Sequence, residues 1–325
     1  MKRNFHLAAV VVLALLSSWP FPALAGTLST SVIGLFPKDV GEFAYADLKA
    51  ARRQRWFAQL KDQMLPSRFR QFEQFLASAG IDPNTQVEEV AWALTGSTTT
   101  AGEQIVGVAL GQFNPASAEE FFKAQKLPLA RARGYTLFAF GSGAGANDIF
   151  FLFLDSNTAA FGHRRLLEQL VEVRFGAEES LLRNEKLFPL VDEANGRGII
   201  WAVLDQGYTR LAIQQLIPEA AQFPEAGRLV TRMQALLINV EADRTIDARF
   251  QAVCDAPETA NVFSNLLQAG LMLRRYQENQ SNPDLAKTIE DIRITPRGER
   301  LDIRVALSEE MLAALLRRNT FAVRM

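Results

Sequence analysis

The sequence predicts an α+β protein with a mainly antiparallel sheet, and three observations predict it. Short runs of apolar residues alternating with period 2 are separated by longer stretches where apolar residues recur every three or four positions. The period-2 runs come largely in pairs around turn residues, which is the pattern of hairpins and not of parallel crossovers. The order strand, helix, hairpin, helix, hairpin, helix occurs twice. The expected organisation is therefore an internal duplication, with one unit over residues 42–197 and a second over 198–325, after an N-terminal arm over 26–41.

The chain opens with MKRNFHLAAVVVLALLSSWPFPALAG. Lys2 and Arg3 precede an unbroken apolar run from Leu7 to Leu16, and Ala23-Leu24-Ala25 places small residues where a signal peptidase reads. This is the pattern of a secretory leader cleaved between Ala25 and Gly26. The run is shorter than the roughly 20 residues a membrane span needs, and Pro20 and Pro22 end it. Export to the periplasm, with no transmembrane span after processing, is the expectation. Losing Lys2 and Arg3 moves the formal charge from −1 to −3. That balance excludes a general nucleic-acid binder, which needs a basic excess. GTLSTSVIGLFPKD, which follows the leader, reads as a flexible arm.

In the first unit, EFAYADL is a short strand. KAARRQRWFAQLKDQML reads as one long helical region with Trp56, Phe57, Leu60 and Met64 on a stripe, interrupted by Pro66. A second helix, Ser67 to Ala79, carries Phe69, Phe72, Phe75 and Leu76 and stops at Gly80. VEEVAWAL and EQIVGVALGQF form a hairpin around STTTAG. Asn114 caps a helix with Pro115 in its first turn. YTLFAF and DIFFLFL are two further strands, with AAFGH a third, and helices follow from Arg164 and from Leu181.

In the second unit, GIIWAVLD is a strand and TRLAIQQLI a helix. ALLINVEAD and IDARFQAVC form a hairpin, and Pro257 opens a long helix. IEDIRIT and RLDIRVAL pair around PRGE, and Ser308 caps a last helix. The strands of the two units differ in how they alternate. Leu301, Ile303 and Val305 alternate with Asp302 and Arg304, as a sheet with one wet face requires. IFFLFL and IIWAVL are apolar on both sides and need cover on both faces. They are expected near the junction of the units, or lining an enclosed cavity in which Phe150, Phe151, Phe153 and Trp201 would contact a hydrophobic ligand such as a lipid.

Candidate chemistry is sparse. Gly141-Ser142-Gly143-Ala144-Gly145 has the composition of a phosphate-binding loop. A strand follows it, however, where a dinucleotide fingerprint or a nucleophile elbow needs a helix, so it reads as a hairpin bend. After leader removal the chain keeps one histidine, His163, and one cysteine, Cys254, so no His/Cys zinc cluster can be assembled within one chain. His163 reads as a surface residue at a helix start, and Cys254 as a small buried side chain. Paired acids recur at Glu88-Glu89, Glu119-Glu120, Glu178-Glu179 and Glu309-Glu310, but neighbours on a strand point to opposite faces, and first-turn acids suit the helix dipole. No catalytic residue, metal or cofactor is expected. Arg52, Arg53, Arg55 and Lys61 form a basic helical surface that could meet a partner or a membrane.

LFPKDVGEFAYADLKAAR, AGIDPNTQVEEVAWAL and GERLDIRVALSEEMLAALL together resemble a loosely defined group of exported bacterial envelope proteins of unknown function. The resemblance implies location and fold and no catalytic residue. The leading expectation is a non-catalytic cell-envelope protein that acts by binding or scaffolding, its partner an envelope protein or a lipid. The alternatives are a carrier of a hydrophobic ligand and a hydrolase with a carboxylate-based site.

Overall fold

The computed structural model describes residues 26–65, 67–96, 104–145, 148–216, 227, 229–242, 245–281 and 283–317. The leader and Ala25 lie outside them. Helix α1 (Thr30–Ile33) precedes strand β1 (Glu42–Asp47), then come α2 (Leu48–Ala51), α3 (Phe57–Met64), α4 (Ser67–Ser78) and α5 (Pro83–Gln86). Strands β2 (Val87–Thr95) and β3 (Gln104–Gly111) lead to α6 (Pro115–Ala124). Four strands follow: β4 (Leu129–Ala132), β5 (Tyr135–Phe140), β6 (Ile149–Phe153) and β7 (Thr158–Gly162). Helix α7 (Arg164–Arg174), a 3-10 turn and α8 (Phe188–Ala194) close this part. The rest is β8 (Ile200–Asp205), α9 (Gln206–Leu216), β9 (Met233–Ala242), β10 (Ile246–Cys254), α10 (Pro257–Ser281), α11 (Pro283–Asp291), β11 (Arg293–Arg297), β12 (Arg300–Leu307) and α12 (Glu309–Arg317).

Among the described residues the twelve strands form one sheet in the order β11-β12-β10-β9-β8-β1-β2-β3-β7-β6-β5-β4, and every neighbouring pair is antiparallel. The class is α+β. At the centre β1 lies against β8 with Ala44 opposite Ala202. The two ends of that pair are built alike. The Asp47 N–H donates to the Ile199 carbonyl at 2.7 Å, and the Asp205 N–H donates to the Gly41 carbonyl at 2.7 Å. Each aspartate ends its strand and turns the chain into a helix, accepting from Ala50 N–H at 2.7 Å and from Tyr208 N–H at 2.8 Å.

Alternation along the strands sorts the core. One face carries Phe43, Tyr45, Val106, Val108, Phe150, Leu152 and Trp201, packed under α1, α7 and α8. On the other face α4 and α6 cover Phe138, Phe151 and Phe153, while α9 and α10 cover Leu236, Ala252 and Leu301. A small cluster joins Ala51 and Trp56 to Leu312 and Leu316 of α12.

Three expectations need correction. The segment 26–41 is no flexible arm: Leu28, Ile33, Phe36 and Val40 are buried in the main core, because an apolar residue every few positions gives the segment something to bury. The helical region from Lys49 is broken twice, since turn residues 52–56 separate α2 from α3 before Pro66 is reached. The Arg52 guanidinium there donates to the Val87 carbonyl at 2.7 Å, which holds the turn against β2. Finally, a four-stranded meander stands where two strands and a short third were read. Leu129–Ala132 forms β4 at the sheet edge, with Leu129 half exposed, so it lacks the apolar alternation that would have marked it.

Candidate binding face

On the face where α8 covers β8 and β9, no helix among the described residues continues across β10, β12 and β11; helices α10 and α11 pack against these strands from the opposite side. What lies on the uncovered side follows from period 2 and register. Asp247 is opposite Glu241, Arg249 is opposite Asn239 and Arg304, and Gln251 is opposite Asp302. The apolar partners on the same strands, Ala248, Phe250, Ile303 and Val305, point to the helices.

The face is organised by ion pairs of both signs. Arg300 reaches the α8 carboxylate of Glu193 through two bonds of 2.9 Å and also donates to the Gln251 side chain. Gln251 in turn donates to Asp302 at 2.7 Å. Asp247 is 8% exposed and accepts from the Arg304 Nε at 2.6 Å, with Arg249 Nε at 3.9 Å from its second oxygen. That second oxygen, Oδ1, is buried and has no hydrogen-bond partner among the described residues. The same holds for the side-chain oxygen of Asn239, and for the indole Nε1 of Trp201 opposite it. Arg249 and Arg304 are more than half exposed. Arginines and acids of β10 and β12 give this face charges of both signs, and Arg293 and Arg297 of β11 extend its basic side to the sheet edge.

The apolar candidates do not converge. Phe150 and Trp201 lie on the face under α1, α7 and α8, while Phe151 and Phe153 lie on the opposite face against Phe72, Phe122 and Phe113. All four are buried. Trp201 stacks on Tyr45 with ring centroids 5.4 Å apart. Residues on one strand cannot share a cavity on one face unless they are an even number of positions apart, so these four do not line a common pocket. The basic candidates are spread likewise. Arg53 and Arg55 are exposed, Arg52 is spent on Val87, and Lys61 pairs with Glu73 at 2.7 Å and with the Asn84 side chain at 2.7 Å.

The glycine loop bridges β5 and β6 as a bend and is organised around an internal anion. Asp148, 6% exposed, accepts from the Ser142 hydroxyl and the Gly145 N–H, both at 2.9 Å, and from the Arg68 guanidinium at 3.1 Å. Burial works to raise the Asp148 carboxyl, but Gly145, Ser142, Gly143 and Arg68 outweigh it and hold it below the ordinary carboxylate value. A Cβ at Gly141 would fall 2.1 Å from Asp148, which is why glycine stands there. The loop resembles an anion cradle, and the chain's own carboxylate fills it.

His163 is half-buried and not at the surface. Its Nδ1 accepts from the Ile105 N–H at 3.0 Å, and burial depresses its pKa, with Arg68 adding to the effect. Cys254 is buried at 2% exposure, and desolvation raises its thiol pKa. The paired acids are dispersed: Glu88 pairs with Lys49 at 3.0 Å, Glu89 accepts from Tyr45, and Glu119 pairs with Lys123 at 3.2 Å. Glu178 and Glu179 line a cleft of about 620 Å³ with Lys38, Arg183 and Glu185, and Lys38 pairs with Glu179 at 2.8 Å. Among the described residues no group of three His, Cys, Asp or Glu side chains is placed to hold a metal, and no helix is long and apolar enough to cross a membrane.

No family model and no curated protein matches the sequence. By fold the chain is similar to TP0453. Crystal form I of that protein is 12% identical with a TM-score of 0.50, the match covering 92% of this chain and 100% of that one. Form III is 11% identical at 0.50 over 89% and 98%, and form IV is 11% identical at 0.50 over 90% and 98%. The likeness is one of fold.

Proposed function

We propose that this chain is an exported, non-catalytic protein of the cell envelope, built from two related halves (42–197 and 198–325), that binds a folded protein partner. The observation that carries the reading is the side of β10, β12 and β11 that no helix covers among the described residues, where Asp247, Arg249, Arg300, Asp302 and Arg304 share one face of β10 and β12 and the edge strand β11 adds Arg293 and Arg297. Mixed charge selects a protein surface with complementary charges, and such pairing gives specificity and register. The leader pattern and the single cysteine agree with export and with a fold supported by packing.

The test is photo-crosslinking in the native host, with a crosslinking residue placed at Arg249 or Arg304 and, as control, at Lys126 on the covered half. Support is one identified protein crosslinked from the first two positions, absent from the control, and lost when Arg300 is also replaced by Glu. Equal adducts from all positions, or none, would overturn the reading, as would saturable turnover of an ester, glycan or peptide by the purified protein.

A further inference from the structure

Gly26 is packed against the Tyr45 hydroxyl and the Asp47 carboxylate. A Cβ built on it would fall 2.2 Å from the Tyr45 hydroxyl oxygen and 2.7 Å from Asp47 Oδ2. Its nitrogen, joined to the same Cα, therefore stands within about 5 Å of both. The Tyr45 hydroxyl donates to Glu89 Oε2 at 2.9 Å, and Asp47 and Glu89 are opposite each other on β1 and β2. The segment is clamped in this position. The Leu28 N–H donates to the Asn195 side chain at 2.9 Å, the Asn195 amide donates back to the Leu28 carbonyl at 2.8 Å, and the Leu28 side chain is 1% exposed.

The acids around Gly26 lack a cation. Among the described residues neither Asp47 nor Glu89 forms an ion pair, and the nearby Lys49 is engaged by Glu88 at 3.0 Å. Desolvation pushes the Glu89 carboxyl up; the Tyr45 hydroxyl opposes this, while Asp47 and Glu88 add to it and Lys49 offsets part. Desolvation and then Glu89 raise the Tyr45 hydroxyl well above its ordinary value.

We propose that removal of the leader supplies the missing cation, the new Gly26 ammonium docking between Asp47 and Glu89 and locking the N-terminal segment onto the sheet. Hydrolysis of the Ala25–Gly26 bond by an export peptidase consumes one water. The carboxylate stays on Ala25 and departs with the leader, and the amine stays on Gly26 and is protonated at neutral pH. Processing thus becomes a folding signal: the matured chain is tied down at its first residue, and the unprocessed chain is not. A side chain at that position would force Tyr45 or Asp47 to shift.

The proposal rests on the export reading, and its test separates the two. Chains beginning at Gly26 are compared with chains beginning at Ala23, whose ammonium is displaced by up to about 10 Å, each released from a fusion by a scarless protease. At pH 7 the Gly26 chain is expected to melt about 2–4 °C higher, and its α-amino group to titrate about one unit above the ordinary 7.7–8.0. The sign follows from both partners. An amine whose folded pKa is raised stabilises below its unfolded pKa and loses this as pH rises through the folded value; a paired carboxylate stabilises above its unfolded pKa and loses this on acidification. The difference between the chains should therefore be greatest between about pH 5 and 8 and vanish at both extremes. Combining Asp47→Asn with Glu89→Gln should abolish it while leaving both chains folded; Glu89→Gln alone serves if the pair does not fold. Equal melting and an ordinary α-amino pKa for the Gly26 chain would overturn the proposal. Intact mass of protein from an exporting host that shows the leader still attached would overturn the export reading instead.

Discussion

The two ends of the sheet, one running from β1 out to β4 and the other from β8 out to β11, differ in their layers. On one side of the centre, β1, β3 and β6 are buried on both faces; on the other, cover on one face stops at β9 among the described residues. β6 reads Ile-Phe-Phe-Leu-Phe with every residue buried, whereas β12 alternates Leu301, Ile303 and Val305 with Asp302 and Arg304. The same hydrogen-bonded ladder therefore serves two purposes. Where α1, α7 and α8 lie over it, the sheet is a core; where they do not, it is a surface held in register by ion pairs. One chain segment decides the boundary: α8 covers Trp201 and ends with Glu193 gripping Arg300 on the exposed side.

The largest effect should come from the covered side. Trp201 is fully buried between Tyr45 and Phe43, with ring centroids at 5.4 and 5.7 Å. Trp201→Ala is expected to lose about 3–5 kcal/mol in urea unfolding, since it removes the largest apolar contact and leaves a cavity. Trp201→Phe separates packing from polarity. It keeps most of the ring and removes the indole N–H, which has no partner among the described residues, so it should cost less than about 1.5 kcal/mol. Equal losses for the two would show that the ring is not what the covered layer depends on.

Much of this contrast is legible in the sequence, because period 2 is a local property. IFFLFL and RLDIRVAL announce two-sided and one-sided burial without any knowledge of their neighbours. What is not legible depends on distant partners. The segment 26–41 looks like an arm until Asn195, far along the chain, is seen to clamp Leu28. The apolar candidates look like one cavity until the pleat sends Phe150 and Phe151 to opposite sides. The wet face is visible strand by strand, but its continuity over three strands follows only from the pairing of β12 with β10, across the intervening helix α10. Arg52 reads as surface charge until it is seen to hold the Val87 carbonyl.

A middle effect tests how the covered half ties its hairpin. Asp148→Ala removes the anion around which the glycine loop closes and leaves Arg68, whose Nε is already buried without a partner among the described residues, facing an empty site. The expected loss is about 1–3 kcal/mol. Because the Asp148 pKa is depressed in the folded state, its contribution is present above the unfolded value and disappears as pH falls through the folded one. Wild type and variant should thus differ by a constant amount at neutral pH and converge in strong acid. A difference that persists there would assign the effect to loop geometry and not to charge.

The smallest stability effect should be on the uncovered side, and there the comparison is sharpest. Arg249 is more than half exposed, and its only ion-pair geometry among the described residues is the 3.9 Å approach to Asp247, whose nearer partner is Arg304. An exposed pair at that distance contributes little, so Arg249→Ala should change unfolding free energy by less than about 0.5 kcal/mol. If the face binds a charged protein surface through Arg249, the same substitution should slow association and flatten its salt dependence, because exposed charges act mainly on encounter. A residue that is silent in the unfolding curve and audible in the association rate is held for a partner. An Arg249→Ala variant that loses stability on the scale of Trp201→Ala would instead place this strand within a packed interior, and the contrast between the two ends of the sheet would collapse.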